Sequence, residues 1–289
     1  MLAPLAPNRA EASAATIPVR HFDAAAPRRL ARALADLGEG LRRWRLAAAL
    51  ARLDIRNRYR GSVLGPIWLT LSTAVMLGAL GYLYSMLFQL PVGEYLPWLG
   101  VSLILWNVIA VSVGDACACL TAAEAVIRQL PLPHTVHALR CVMRNALVAA
   151  HNLPLIAVVF LLFGVSPGWS ALLILPGLGL FALNVFAASL LLGMLCARFR
   201  DIGPIVTSIM QIAFFVTPVI WKPELLRPES RPWLPLNPFY ALMETVRGPL
   251  LEGGGSPWIW AAALFWTAVH CGVCFAFFVR FRGRVAFWV

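Results

Sequence analysis

Six long apolar stretches punctuate the chain, at about 63–90, 96–119, 136–163, 170–197, 205–221 and 258–279. The hydrocarbon core of a bilayer takes roughly 20 apolar residues of helix, so this pattern predicts an all-α integral membrane protein with six transmembrane helices. A different periodicity precedes the first stretch, over 37–60. Leu37, Leu41, Trp44, Ala48, Ala51 and Ile55 recur at helical steps while Arg42, Arg45, Arg52 and Arg56 fall off that stripe. This pattern predicts an amphipathic helix on the membrane surface, or one packed against the protein's own cytoplasmic side. Residues 1–36 are rich in Ala, Pro and Arg and lack the apolar core of a signal peptide, which predicts a disordered cytoplasmic extension. The six-span domain then covers 61–282, and 283–289 form a short cytoplasmic tail.

The link 222–257 differs from the others. It carries seven prolines, a Gly253-Gly254-Gly255 run, and four basic residues balanced by four acids. Within it, Asn237 followed by Pro238 has the chemistry of a helix start, an N-cap and then a proline at the first helical position. The apolar helix predicted after it, 239–251, is too short to span. Non-helical backbone survives at membrane depth only when buried in protein or lining a wet cavity, so a segment re-entering from the outer side belongs at a gate.

With 60% hydrophobic and 13% charged residues and a mean hydropathy of +0.76, the chain is too apolar for an ordinary soluble domain. Its net charge of +11 invites a nucleic-acid reading, which the distribution of the charge excludes. Ten arginines crowd 28–60, the link 91–95 has no basic residue, Arg128 follows the second span, the fourth link is uncharged, Arg198 and Arg200 follow the fourth span, and Arg280, Arg282 and Arg284 close the chain. Positive charge on every second link orients both termini to the cytoplasm. None of the six cysteines falls in an outward link, so no disulfide framework is expected, and Cys271 and Cys274 read as packing residues. Arg140, Arg144 and His151 fall within about 40° of one another on a continuous third helix. Snorkelling of the arginines, structural bonding by His151 and Asn152, or substrate contact would each explain that stripe.

Four blocks carry a resemblance. The first is the run 53–68, where Asp54, Arg56, Arg58 and Arg60 lead through Gly61 and Gly65 into the first span. The second is Ile127-Arg128-Gln129-Leu130-Pro131-Leu132-Pro133. The third joins Arg198-Phe199-Arg200-Asp201-Ile202 to a fifth span containing Phe214, Phe215 and Trp221, and the fourth runs from Asn237-Pro238-Phe239 through Glu244 to Arg247. In order and spacing these resemble the permeases of ATP-binding cassette (ABC) polysaccharide exporters, including O-antigen and teichoic-acid exporters. Two positions depart from that pattern: Leu53 stands where arginine is usual, and the tail lacks acidic residues.

The resemblance implies a homodimer in the bacterial inner membrane with two copies of a cytoplasmic ATPase, moving a lipid-linked glycan outward. The sequence has no Gly-x-x-x-x-Gly-Lys-Ser/Thr, so ATP and Mg belong to that partner and this chain needs no cofactor, metal or catalytic residue of its own. Asp54, Arg128, Leu130, Pro131, Arg198, Arg200 and Asp201 are then the ATPase-facing set, although basic turns also satisfy the orientation rule. Arg56, Arg58 and Arg60 suit a pyrophosphate head group at the entrance, a role that orientation alone would equally explain. Sugar rings present apolar C–H faces, which makes Tyr82, Tyr84, Phe88, Phe214, Phe215 and Trp221 candidates for the path, with His151 beside them. Asn237, Glu244 and Arg247 are the candidate outer gate, the last two able to pair at i, i+3. Other amphipathic cargo, such as teichoic acid, capsule, lipid or drug, fits the same pattern. A membrane glycan-transferring enzyme or a channel fits less well, because Asp115, His151 and His270 are scattered in sequence and no filter motif is present.

With the native cysteines removed, a cysteine at Glu229 is expected to react with an impermeant thiol reagent from outside. Cysteines at Arg200 or Glu39 are expected to react only after permeabilisation, and outside labelling at Arg200 would overturn the six-span topology.

Overall fold

The structure, a computed structural model, describes residues 28–62, 65 and 67–289, Leu69 by its backbone alone. Most of the predicted extension, 1–27, lies outside the described residues. Twelve α-helices follow: α1 Arg29–Arg42, α2 Trp44–Arg58, α3 Ile67–Leu87, α4 Val92–Ala118, α5 Glu124–Gln129, α6 His134–Ala150, α7 Leu153–Phe163, α8 Ile174–Arg198, α9 Ile202–Val216, α10 Pro238–Leu251, α11 Pro257–Phe281 and α12 Val285–Trp288. Among the described residues there is no strand.

Among the described residues five helical stretches are long and apolar enough to cross a membrane: Thr70–Leu87, Val92–Ala118, His134–Phe163, Trp169–Arg198 and Pro257–Trp288. The fifth span expected from the sequence is the shorter apolar helix Ile202–Val216. Its fifteen residues rise only about 22 Å at 1.5 Å each, short of a hydrocarbon core. Beyond it the chain leaves helical geometry until the 3-10 turns Pro223–Leu225 and Pro228–Leu236, then enters α10.

The third stretch is two helices rather than one. Pro154, near the start of α7, has no N–H to offer the carbonyl four residues earlier, that of Ala150. Accordingly α6 stops at Ala150, and α7 resumes at Leu153 with proline in its first turn. The single Arg140–His151 stripe expected from sequence is therefore interrupted.

Apolar packing falls into two clusters. One gathers Tyr95, Trp98, Leu99, Phe160, Phe181, Val219 and Met243 from α4, α7, α8, the segment after α9, and α10. The other gathers Ala33, Leu120, Ile127, Ala138, Met194, Phe278 and Val285 around the ends of α1, α5, α6, α8, α11 and α12.

The N-terminal element corrects the sequence reading in two ways. Helix begins at Arg29, so 28–36 are not part of a disordered extension, and a turn at Arg43 divides the surface element into α1 and α2. Its protein-facing side carries Ala33, Asp36, Gly40, Ala47 and Ala51, while Leu41 and Trp44 of the expected apolar side stay exposed, as do Leu30 and Leu34 earlier on α1. Small residues permit the close approach: a Cβ on Gly40 would lie 2.4 Å from Cβ of Thr135. Asp36 anchors this contact, accepting from the backbone N–H of His134 at 3.2 Å and of Thr135 at 3.0 Å, at the otherwise unsatisfied start of α6. Arg282, just past α11, donates to the same carboxylate at 2.6 Å. The tail is not free either, since Val285 is fully buried and α12 folds back against α5 and α8.

Burial alone would raise the Asp36 carboxyl, but Arg282, His134 and the Thr135 hydrogen bonds outweigh it and hold the group below its usual value. The stabilisation is therefore present above a pH of about 3.9 and lost as pH falls through the lower folded value. At neutral pH, Asp36→Asn is expected to increase tryptic cleavage at Arg42 and Arg43 by about tenfold or more, since hydrogen bonds to a charged group contribute roughly 1.5–3 kcal/mol. Unchanged cleavage would show that α1 docks by apolar contact alone.

Candidate functional site

The segment from the end of α9 to α10 poses the hardest physical problem in the chain, because its backbone is irregular although it packs against apolar helices of spanning length. Thr217 and Val219 are fully buried here. Side chains from α4 and from the segment itself supply donors. Tyr95 of α4 donates to the carbonyl of Ile220, Trp221 Nε1 to that of Phe215 at 3.0 Å, and Asn237 Nδ2 to the Thr217 hydroxyl at 2.9 Å. Asn237 also caps α10, its Oδ1 accepting from the N–H groups of Phe239 and Tyr240 at 2.9 and 3.3 Å, as its sequence context predicts.

Arg247 completes the set. It is 0% exposed and its partner Glu244 is 2% exposed, one turn earlier on α10. Its Nε donates to Glu244 at 2.9 Å, and its Nη1 donates to the carbonyl of Pro218 at 2.8 Å and to Ser102 Oγ on α4 at 2.7 Å. The guanidinium also lies 4.5 Å from the ring centre of Trp98. One cation thus satisfies a carboxylate, a broken backbone and a neighbouring helix. Close packing on the other side of α10 seals the arrangement, because a Cβ on Gly177 of α8 would stand 2.5 Å from the Thr245 carbonyl oxygen.

A second charged assembly joins α2, α4 and α6. Arg140 donates to both carboxylate oxygens of Asp54, one at 2.7 Å, and Arg144 bridges Asp54 at 3.2 Å and Asp115 at 2.9 Å. Arg58 reaches Asp115 at 3.7 Å. Snorkelling therefore does not describe Arg140 or Arg144, and Asp115 has the partners that sequence distance concealed. Burial would raise the Asp54 carboxyl, but Arg140 and Arg144 outweigh it and hold it below the usual range. Asp54 sits inside this cluster, whereas Arg56 and Arg60, expected beside it at an entrance, remain exposed. His151 is exposed in the turn after α6, with Nδ1 2.6 Å from the Leu147 carbonyl. A carbonyl only accepts, so Nδ1 carries the proton.

The two turns expected to face an ATPase are both accessible. Leu130, Pro131, Arg198, Arg200 and Asp201 are exposed. Arg128 is exposed too, yet tied down: it pairs with Glu124 at 2.9 Å, and its Nε donates to the main-chain oxygen of Val289 at 3.1 Å. The tail thereby braces α5.

The path aromatics divide. Tyr84 stacks on Phe88 at 5.5 Å, and Phe88 meets Tyr95 edge-on at 6.3 Å. Phe214 packs on Trp106 at 5.7 Å and Phe215 at 5.3 Å, lining a groove of about 460 Å³ between α4 and α9 that also includes Thr207 and Gln211. Tyr82 and Phe215 are largely exposed, and Trp221 is half-buried. Sequence reasoning missed Trp98 and Trp106. Both lie on α4, inside a long apolar run that reads as an ordinary span.

Several apolar helices of spanning length, a shorter helix with its own buried ion pair, and charged turns at the opposite end mark a multi-pass membrane protein. Residues 45–251 match the ABC-2 type transporter family. The chain belongs to that family, and so is a transport subunit rather than an enzyme, working with a partner ATPase. Similar proteins include the O-antigen export system permease protein RfbA of Myxococcus xanthus, 26% identical over 210 residues, covering 72% of this chain and 80% of that protein. The permease of the same name from Klebsiella pneumoniae is 23% identical over 213 residues, covering 72% of this chain and 81% of its own length.

Removing one side of a buried ion pair costs about 3–5 kcal/mol. Glu244→Lys is therefore expected to lower the midpoint of thermal unfolding of the purified protein by about 10 °C, while Glu229→Lys, at an exposed position, leaves it unchanged. Equal midpoints for the two variants would remove the pair from the fold's support.

Proposed function

We propose that this chain is the membrane subunit of an exporter that carries a lipid-linked, O-antigen-like polysaccharide from the cytoplasmic to the outer side of a bacterial inner membrane. The observation that carries this reading is similarity over 72% of the chain to proteins named as O-antigen export permeases. The geometry is compatible with it. Aromatic rings along the α4–α9 groove offer stacking surfaces to sugar rings without fixing them by charge. The sealed junction of α9 and α10 would close the outer end between substrates.

Two copies form the working unit in this proposal. Ile205, Ile209, Ile212 and Val216 make an exposed stripe along α9, and α3 exposes Ile67, Trp68, Leu71, Val75 and Met86. Faces of this kind suit a second copy across a shared passage. Both termini and the turns 128–133 and 198–202 would face the cytoplasm, where two ATPase subunits bind ATP and Mg.

The test is export in cells lacking their own permease, with the cognate ATPase supplied. Wild-type chain is expected to restore glycan to the surface, and Arg128→Glu combined with Asp201→Arg to cut surface glycan at least tenfold while membrane insertion stays normal. Failure of the wild-type chain to restore any glycan, with ATPase bound, would reject the cargo. Full export by the double variant would remove the turns from coupling.

A further inference from the structure

A cavity of about 340 Å³ lies between α4, α8, α9, α10 and α11. That volume is within the range of ligand sites. No Asp, Glu, Lys or Arg lines it, and most of its wall is aliphatic or aromatic. Ile209 and Val269, on α9 and α11, belong to its lining and are exposed, so the rim faces the surroundings of the helices with apolar side chains. Polar groups concentrate among Ser112, Asn184, Thr267 and His270.

The hydrogen-bond roles in this group follow from one fixed point. The Leu180 carbonyl only accepts, so the Asn184 atom 2.9 Å from it is Nδ2, which also donates to Thr267 Oγ1 at 2.8 Å. Asn184 Oδ1 therefore faces His270 Nδ1 at 3.0 Å, and that nitrogen carries the proton. In the neutral ring Nε2 is left as an acceptor. Thr267 spends its own proton on the Ala263 carbonyl at 2.7 Å. Ser112 is 2% exposed, lines the cavity, and its Oγ has no hydrogen-bond partner. Leaving a buried hydroxyl unsatisfied is destabilising, so Ser112 is a group that an occupant of the cavity could satisfy.

We propose that this cavity is a binding site for a long-chain alcohol drawn from the bilayer, its hydrocarbon body in the apolar slot and its hydroxyl between Ser112 and His270. The occupant must be uncharged, because nothing in the lining neutralises a phosphate or carboxylate. It must be largely apolar, because it enters from the α11 side past Val269, the Ile209 face of α9 being the one offered to a second copy. A hydroxyl can accept from Ser112 or donate to His270 Nε2, whereas an alkane can do neither. The site shares only a few wall residues with the α4–α9 groove and does not depend on the glycan reading.

The experiment uses full-length protein in nanodiscs and a long-chain alcohol carrying a mid-chain diazirine and a terminal alkyne. The expected result is saturable photolabelling on α9 and α11, competed by the plain alcohol and about tenfold weaker with a matched alkane probe or in Ser112→Ala. That factor equals about 1.4 kcal/mol. Ala263→Phe, which fills the cavity, should abolish labelling. Should that variant not accumulate, Val206→Trp in the same lining serves in its place. Equal labelling by alcohol and alkane, labelling that survives the filling variant, or no labelling of wild type because water or a second copy occupies the slot would each overturn the proposal.

Discussion

A polypeptide that leaves helical geometry inside a bilayer must find hydrogen bonds for its backbone within the protein, and the junction between α9 and α10 is organised around that requirement. Arg247 is its centre. A buried arginine is costly in isolation, but here each face of the guanidinium has a partner: Glu244, Pro218, Ser102 and the Trp98 ring. Because those partners come from α10, the irregular segment and α4, a change in the spacing of these elements would strand a cation in an apolar setting. The junction is therefore held by interactions that depend on one another rather than by any single contact.

At the other end of the helices, carboxylates perform a comparable task with more exposure. Asp36 ties α1 to the start of α6 and the end of α11. Asp54 ties α2 to α6, and Asp115 extends the same network to α4. The turn 128–133 that precedes α6 is thus attached to a braced frame, with the tail holding α5 through Arg128. From that turn the frame continues through α6 and, by way of Arg144, to α4, the helix that also carries Ser102 and Trp98 of the α9–α10 junction. This connection is a contiguous chain of packed and paired groups, and α4 is its shared member.

What the sequence by itself determined follows from rules that act on neighbouring residues. Apolar length located the five stretches of spanning length and the shorter helix Ile202–Val216, and Asn237-Pro238 marked a helix start that forms as expected. The i, i+3 spacing of Glu244 and Arg247 already offered the ion pair. Even the division of the third span was legible, since Pro154 cannot satisfy Ala150, although a continuous apolar run obscures that signal. Only the tertiary structure decided which charges meet. Asp36 and Arg282 stand at opposite ends of the chain, and Asp54, Asp115, Arg140 and Arg144 come from three helices. In the linear pattern each basic residue looks like an orientation signal. Folding turned some of them into partners, because a charge brought into low dielectric must be matched by whatever the neighbouring helices present.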